Sequence, residues 1–180
     1  MEKFLGLLLA VFIIISFFYF PSKVLIKKDQ ENISFIPVHL LIPTININAN
    51  IQTLGVNSKG EMEVPNNITD VGLFKFGVIP GQKGSAVMAG HFNGENGQEG
   101  VFANLDKLKT GDKLFVEDKT GKSITFIVQE IKLYNSGYAD KVFSRDDGVY
   151  LNLITCDGLW DEVKKSYAKR LVVFSDILEE

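Results

Sequence analysis

Apolar and polar residues are arranged in three different ways along the 180-residue chain. The first is an unbroken apolar run without a charge, Phe4 to Phe20 (FLGLLLAVFIIISFFYF). As a helix it would span roughly 25 Å. With some thinning, that is enough for a bilayer core of about 30 Å. The run ends Phe18-Tyr19-Phe20-Pro21-Ser22-Lys23, without the small residues of a signal-peptide cleavage site. Aromatic residues at that end suit a membrane interface. An uncleaved single-pass transmembrane helix within residues 1–22 is therefore expected, rather than a cleaved leader. The second arrangement is the charged and polar cluster inside residues 23–36 (KVLIKKDQENISFI), which reads as a stalk. The third fills residues 37–180, where short β-type segments alternate with glycine-bearing turns.

Within that third region Ile45 to Ile51 alternates apolar and polar residues, the mark of a half-buried strand. Ser85 to Ala89 is a short run of small and apolar residues that leads into Gly90-His91. Leu114 to Val116 and Ser123 to Leu133 flank Asp118-Lys119-Thr120-Gly121, a predicted hairpin turn. Tyr150 to Thr155 and Arg170 to Phe174 predict two further strands. Helical signal is confined to Val101 to Leu108, one short helix. Many short strands with little helix predict an all-β domain, an antiparallel barrel or a sandwich.

Composition narrows the function. The formal net charge is −3 and no dense basic patch occurs, which argues against nucleic acid as a partner. There is one cysteine, so no intramolecular disulfide can form. That cysteine is either a small buried hydrophobe or a reactive thiol. Lysines give a conflicting signal about orientation. Lys3 precedes the apolar run and Lys23, Lys27 and Lys28 follow it, so a positive-inside count alone would leave the domain in the cytoplasm.

Three predicted strand ends carry chemistry: His91 after Ser85–Ala89, Cys156 closing Tyr150–Thr155, and Arg170 opening the last strand. A thiol ionises near pH 8.5, so at neutral pH it needs a base. An imidazole can take its proton and later protonate a leaving amine. A guanidinium can stabilise the oxyanion formed by attack on an amide. The plainer alternatives are a loop histidine at 91 and a solvated charge at 170. His39 lies in the apolar stretch Pro37 to Ile42, where a structural role is expected.

The wording around these residues resembles that of the sortases, transpeptidases that attach proteins to bacterial cell walls or assemble pili. Leu153-Ile154-Thr155-Cys156 is similar to the family's TLxTC signature, and Ala89-Gly90-His91 to its histidine element. Arg170, followed by Leu171-Val172-Val173, stands at the place of the family arginine. Ile42-Pro43, Val64-Pro65, Pro80 to Ser85, Phe102 to Leu105 and Leu108 to Asp112 add to the likeness, which covers about residues 37 to 178. One departure is Asn152, where the signature has its first Thr. The short segment from Cys156 to Arg170, and the lack of a long N-terminal lid, look more like classes D, E or F than class C.

The resemblance implies a closed eight-stranded β-barrel with one or two short helices, preceded by the transmembrane helix. It implies that Cys156 forms a thioacyl intermediate with a protein bearing an LPXTG-like sorting signal, with His91 and Arg170 completing the catalytic set. An amine of a peptidoglycan precursor or a pilin would then release the product. It also implies Thr155 as a support for the cysteine and a substrate contact, with Trp160 either a substrate wall or part of the packing. The domain would lie outside the cytoplasmic membrane, which overrides the lysine count. No cofactor and no metal are expected, and the Gly-rich loop Phe92 to Gly100 lacks EF-hand spacing. Two rival readings remain: a cysteine protease that only hydrolyses, and a non-catalytic membrane-tethered β-domain that binds a wall component.

Overall fold

The computed structural model describes residues 35–94, 96–137, 142–163 and 165–179. The apolar run Phe4 to Phe20 and nearly all of the stalk lie outside these described residues. Among them no helix is long and apolar enough to cross a membrane.

The described chain forms eight strands: β1 Pro37–Ile42, β2 Ile47–Leu54, β3 Val71–Phe74, β4 Gly84–Gly90, β5 Lys113–Asp118, β6 Ser123–Asn135, β7 Val149–Asp161 and β8 Ser166–Ile177. They close into a barrel in the order β1-β2-β3-β4-β7-β8-β6-β5. The expectation of an antiparallel barrel is corrected in two places. The pairs β2/β3 and β4/β7 are parallel. A parallel neighbour needs a long crossover, and the whole β5–β6 hairpin lies in the connection from β4 to β7.

Local chemistry explains most boundaries. The expected strand Ile45 to Ile51 starts later, because Pro43–Ile45 is a 3₁₀ turn that closes on Asn46 in the left-handed region (φ 55°). From Ile47 the predicted alternation holds, with Ile47 and Ala49 buried and Asn48 and Asn50 exposed. The β5–β6 turn forms as predicted. Asp118 Oδ1 accepts from Thr120 N at 2.8 Å, Thr120 Oγ1 at 2.6 Å and Lys122 N at 3.0 Å, and Gly121 takes φ 84°. The expected helix Val101–Leu108 is instead a turn followed by one 3₁₀ turn, Leu105–Lys107. Its start has no side-chain cap bond. This segment serves to seat Phe102, Leu105 and Leu108 in the core.

Two hydrophobic clusters flank the β4–β7–β8 wall. Leu40, Met88, Phe126, Leu151, Leu153 and Val173 fill the barrel interior. Val87, Val142, Val172 and Phe174 pack on the outer face, where Ile154 joins them. Each such side chain, once fully buried, contributes about 1.5–3 kcal/mol. Asn152 also faces outward and is fully buried, its Nδ2 donating to Val142 O at 2.6 Å. Alternate residues of β4, β7 and β8 thus belong to opposite sides of one wall, and the alternation decides which residues share the outer face.

Candidate active site

That alternation brings three of the predicted residues into one row. The parallel β4/β7 register ends at Ala89↔Ile154. Two residues further along each chain stand His91 and Cys156. Across the antiparallel β7/β8 ladder Cys156 pairs with Arg170. All three continue the outer-face positions of Val87, Ile154 and Val172. Residues far apart in sequence are gathered by pairing register alone.

The row corrects part of the sequence reading. His91 does follow the end of β4, as predicted. Cys156 does not close its strand, and Arg170 does not open its own: β7 runs on to Asp161 and β8 begins at Ser166. The stretch Asp157 to Tyr167 is therefore largely strand. Beyond Ala89↔Ile154, β7 has no further ladder partner in β4, and past Asn135↔Lys169 the β6 side of β8 continues with the bond from Ser136 N to Ala168 O (3.0 Å), after which β7 and β8 run on as a pair. Cys156 and Arg170 therefore sit where a two-stranded ribbon leaves the barrel. Between β6 and β7, which end and begin at Asn135 and Val149, Val142 is buried, while residues 138–141 lie outside the described set.

His91 is held on both backbone and ring. Its carbonyl accepts from Phe102 N at 2.9 Å, and its Nε2 lies 2.9 Å from Pro65 O. A carbonyl oxygen only accepts, so Nε2 carries the proton of that bond. The preceding glycine is required by packing. A Cβ at Gly90 would stand 2.5 Å from the Phe102 ring and 2.7 Å from Val101, and one at Gly100 would run into the His91 carbonyl. Neither Pro65 nor Phe102 was assigned a role from the sequence. Their motifs, Val64-Pro65 and Phe102 to Leu105, were visible, but nothing local says that they meet His91.

Cys156 is half-buried. Burial pushes its thiol above the usual range, and the nearby Arg170 charge pulls it only partly back. At neutral pH the resting sulfur is protonated, so nucleophilic work here requires a proton acceptor. Arg170 Nη1 donates to Tyr167 O at 3.0 Å and to Lys169 O at 2.9 Å, which holds the guanidinium along its own strand. A guanidinium carries five donors in a planar fork, so this anchoring is compatible with a second partner.

A cavity of about 200 Å³ opens beside the sulfur. Thr155, Cys156 and Asp157 line it together with Phe92, Phe102 and Leu171, whereas His91 and Arg170 do not. Thr155 lines this space, but its hydroxyl donates to Gly90 O at 2.9 Å. It ties the residue before Cys156 to the residue before His91. Trp160 is 45% exposed and outside the cavity wall. It packs edge-on against Tyr167 (centroids 5.2 Å), which meets Phe92 at 5.8 Å. In the loop Phe92 to Gly100, Asn93 and Glu99 form an isolated bridge, and no trio of metal-ligating side chains gathers among the described residues.

Comparison with known proteins agrees with this architecture. A family model described as "Sortase domain" matches residues 40–178. No curated protein matches the chain significantly. Among solved structures, sortase C from Clostridium perfringens SM101 is similar at 23% identity and TM-score 0.59, over 81% of this chain and 71% of that one. A lid mutant of sortase A from Corynebacterium diphtheriae gives 20% identity and TM-score 0.62 over the same shares. A Clostridium perfringens sortase D5 transpeptidase gives 19% and 0.59, over 79% of each chain. These likenesses span classes A, C and D with nearly equal scores, so they do not single out the class D, E or F expected from the sequence.

Proposed function

The chain belongs to the sortase family, and on that premise we propose that it is a cysteine transpeptidase acting on LPXTG-like sorting signals. The observation that carries the proposal is the row His91–Cys156–Arg170 across β4, β7 and β8. The thiol proton passes to His91 as the sulfur attacks the carbonyl carbon of the scissile Thr–Gly bond. Arg170 stabilises the oxyanion that forms. The C–N bond then breaks, the proton goes to the leaving amine, and a thioester to Cys156 remains. An acceptor amine attacks the thioester, an amide forms, and the thiol regains its proton. The amine belongs to a peptidoglycan precursor or a pilin. Thr155 shapes the site from the cavity wall, and Trp160 contacts substrate from the ribbon. Phe4 to Phe20 anchors the domain to the outer face of the cytoplasmic membrane, so the full-length protein sediments with membranes.

The test is intact mass measurement of the full chain after mixing with an LPXTG-type peptide without an amine. An adduct equal to the peptide fragment ending at Thr is expected. Hydroxylamine should discharge it as a hydroxamate, and Cys156→Ala should form none. Cleavage that persists in Cys156→Ala would overturn the proposal, because the chain has no second thiol. Absence of any adduct across a peptide library, together with a thiol inert to alkylation, would favour the non-catalytic binding domain.

A further inference from the structure

The carbonyl that receives His91 Nε2 belongs to the Pro65–Asn66 peptide, and the other edge of that peptide is also occupied. Asn66 N–H points to Gln52 Oε1 at 3.5 Å, a long contact. Gln52 Nε2 donates to Asn66 Oδ1 at 2.8 Å and to Asp70 Oδ2 at 2.8 Å. Gln52 lies on β2, which is part of the barrel frame. Asp70 is itself fixed. Its carboxylate accepts from Asn67 Nδ2 at 2.9 Å and Asn50 Nδ2 at 3.3 Å, and its N–H donates to Asn67 Oδ1 at 2.8 Å. The segment 66–70 has no regular secondary structure, so side-chain amides supply the hydrogen bonds that a strand would otherwise provide.

We propose that Gln52 is a positioning residue for His91: it clamps the Pro65–Asn66 peptide so that the Pro65 carbonyl holds the Nε2–H tautomer. Nδ1 is then the ring atom that exchanges the proton with thiol and leaving amine. The physical reason is geometric. A neutral imidazole carries one N–H, and a fixed acceptor at Nε2 decides where it sits. A peptide loosely held would let the ring populate the other tautomer, in which the lone pair no longer sits on Nδ1. Hydrogen bonds at both edges of one amide also polarise it and strengthen the carbonyl as an acceptor. The proton-transfer role of His91 rests on the function proposed above, whereas the tautomer does not.

The test uses the full-length chain, labelled with ¹⁵N-histidine in detergent micelles. With two histidines in the sequence, His39→Gln assigns the spectrum. In its neutral form, the wild-type His91 ring should show a protonated Nε2 and an unprotonated Nδ1. Gln52→Met keeps the bulk but none of the hydrogen bonds. It should draw the two ¹⁵N shifts of His91 toward each other, as Gln52→Ala should, and a packing role would be rescued by Met. In turnover both variants should lose about fivefold in kcat with KM for peptide unchanged, equivalent to about 1 kcal/mol, one hydrogen bond. An Nδ1–H tautomer in wild type, or unchanged His91 shifts in a folded Gln52→Met, overturns the clamp. If wild type never transfers peptide, the function reading fails while the ¹⁵N shifts still decide the clamp.

Discussion

The two ends of the proposed catalytic row are built differently. At the β4 end, His91 is fixed by Phe102 N on its carbonyl and Pro65 O on its ring, and Gly90 leaves no room for movement against a fully buried Phe102. At the other end, Cys156 and Arg170 stand at the root of a ribbon that leaves the barrel. Its register shifts between Asp157 and Trp160, and Leu159 and Val163 near its tip are 84% and 93% exposed. Few buried contacts mean low local stability. The imidazole is set by the frame, whereas the thiol and the guanidinium stand at the root of the more exposed element. Thr155 bridges the two through its bond to Gly90 O. In the proposed two-step acyl transfer, donor and acceptor would successively reach the sulfur from this exposed side.

The sharpest way to break this comparison is on the ribbon side. Arg170→Ala should lower kcat/KM by about 10²–10³, the range of about 2.7–4 kcal/mol seen when one oxyanion donor is lost. Arg170→Lys should recover only part, because an ammonium lacks the planar fork. Unfolding midpoints should barely move in either variant. Near-normal kcat/KM in Arg170→Ala would remove the guanidinium from the proposed mechanism.

A second pair of variants compares the ends directly. Gly90→Ala places a methyl against Phe102 and Val101 and should cost about 1–3 kcal/mol of stability, as overpacking does, with loss of activity as His91 shifts. Gly158→Ala, at φ 82° on the ribbon, meets nothing closer than 3.4 Å. Its cost should be the left-handed backbone strain alone, about 1 kcal/mol. Urea unfolding measures both. Equal losses, or activity lost only in Gly158→Ala, would reverse the assignment of frame and adaptable arm.

The smallest effect concerns the thiol. Burial raises the Cys156 pKa above its unfolded value. The folded state therefore holds that proton more tightly. This contribution to stability is complete below about pH 8.5, the unfolded thiol value, and is lost as pH rises through the higher folded value. Alkylation of Cys156 by iodoacetamide should keep accelerating past the pH where a free thiol levels off. Removing the charge in Arg170→Ala should move that profile further up. A profile that levels off below the free-thiol value would mean that the cation, not burial, governs the sulfur.

Much of the site was legible because its residues are chemically unusual where they stand. A lone cysteine in Leu153-Ile154-Thr155-Cys156, a histidine after Gly90 and an arginine opening an apolar run are each visible without coordinates. The roles of Thr155 and Trp160 were less legible. A hydroxyl next to a nucleophile reads equally as a substrate contact or a strut, and only the Gly90 carbonyl shows where Thr155 points. Trp160 read as substrate wall or core, and it is not core: it packs edge-on against Tyr167, half-exposed on the ribbon.

By itself the amino-acid sequence determined what local physics controls. The alternation from Ile47, the Asp118 turn and the small-residue run into Gly90-His91 all follow from side-chain period and backbone preference. Strand ends were less well determined. β7 and β8 stabilise each other beyond the barrel, and cross-strand pairing is not encoded in either strand alone. Only the tertiary structure decided the parallel β4/β7 register, which puts His91 level with Cys156. Only it brought the Pro65 carbonyl, 26 residues away in the chain, to the imidazole. Both depend on closing long loops, whose geometry is fixed by the whole barrel rather than by the residues within them.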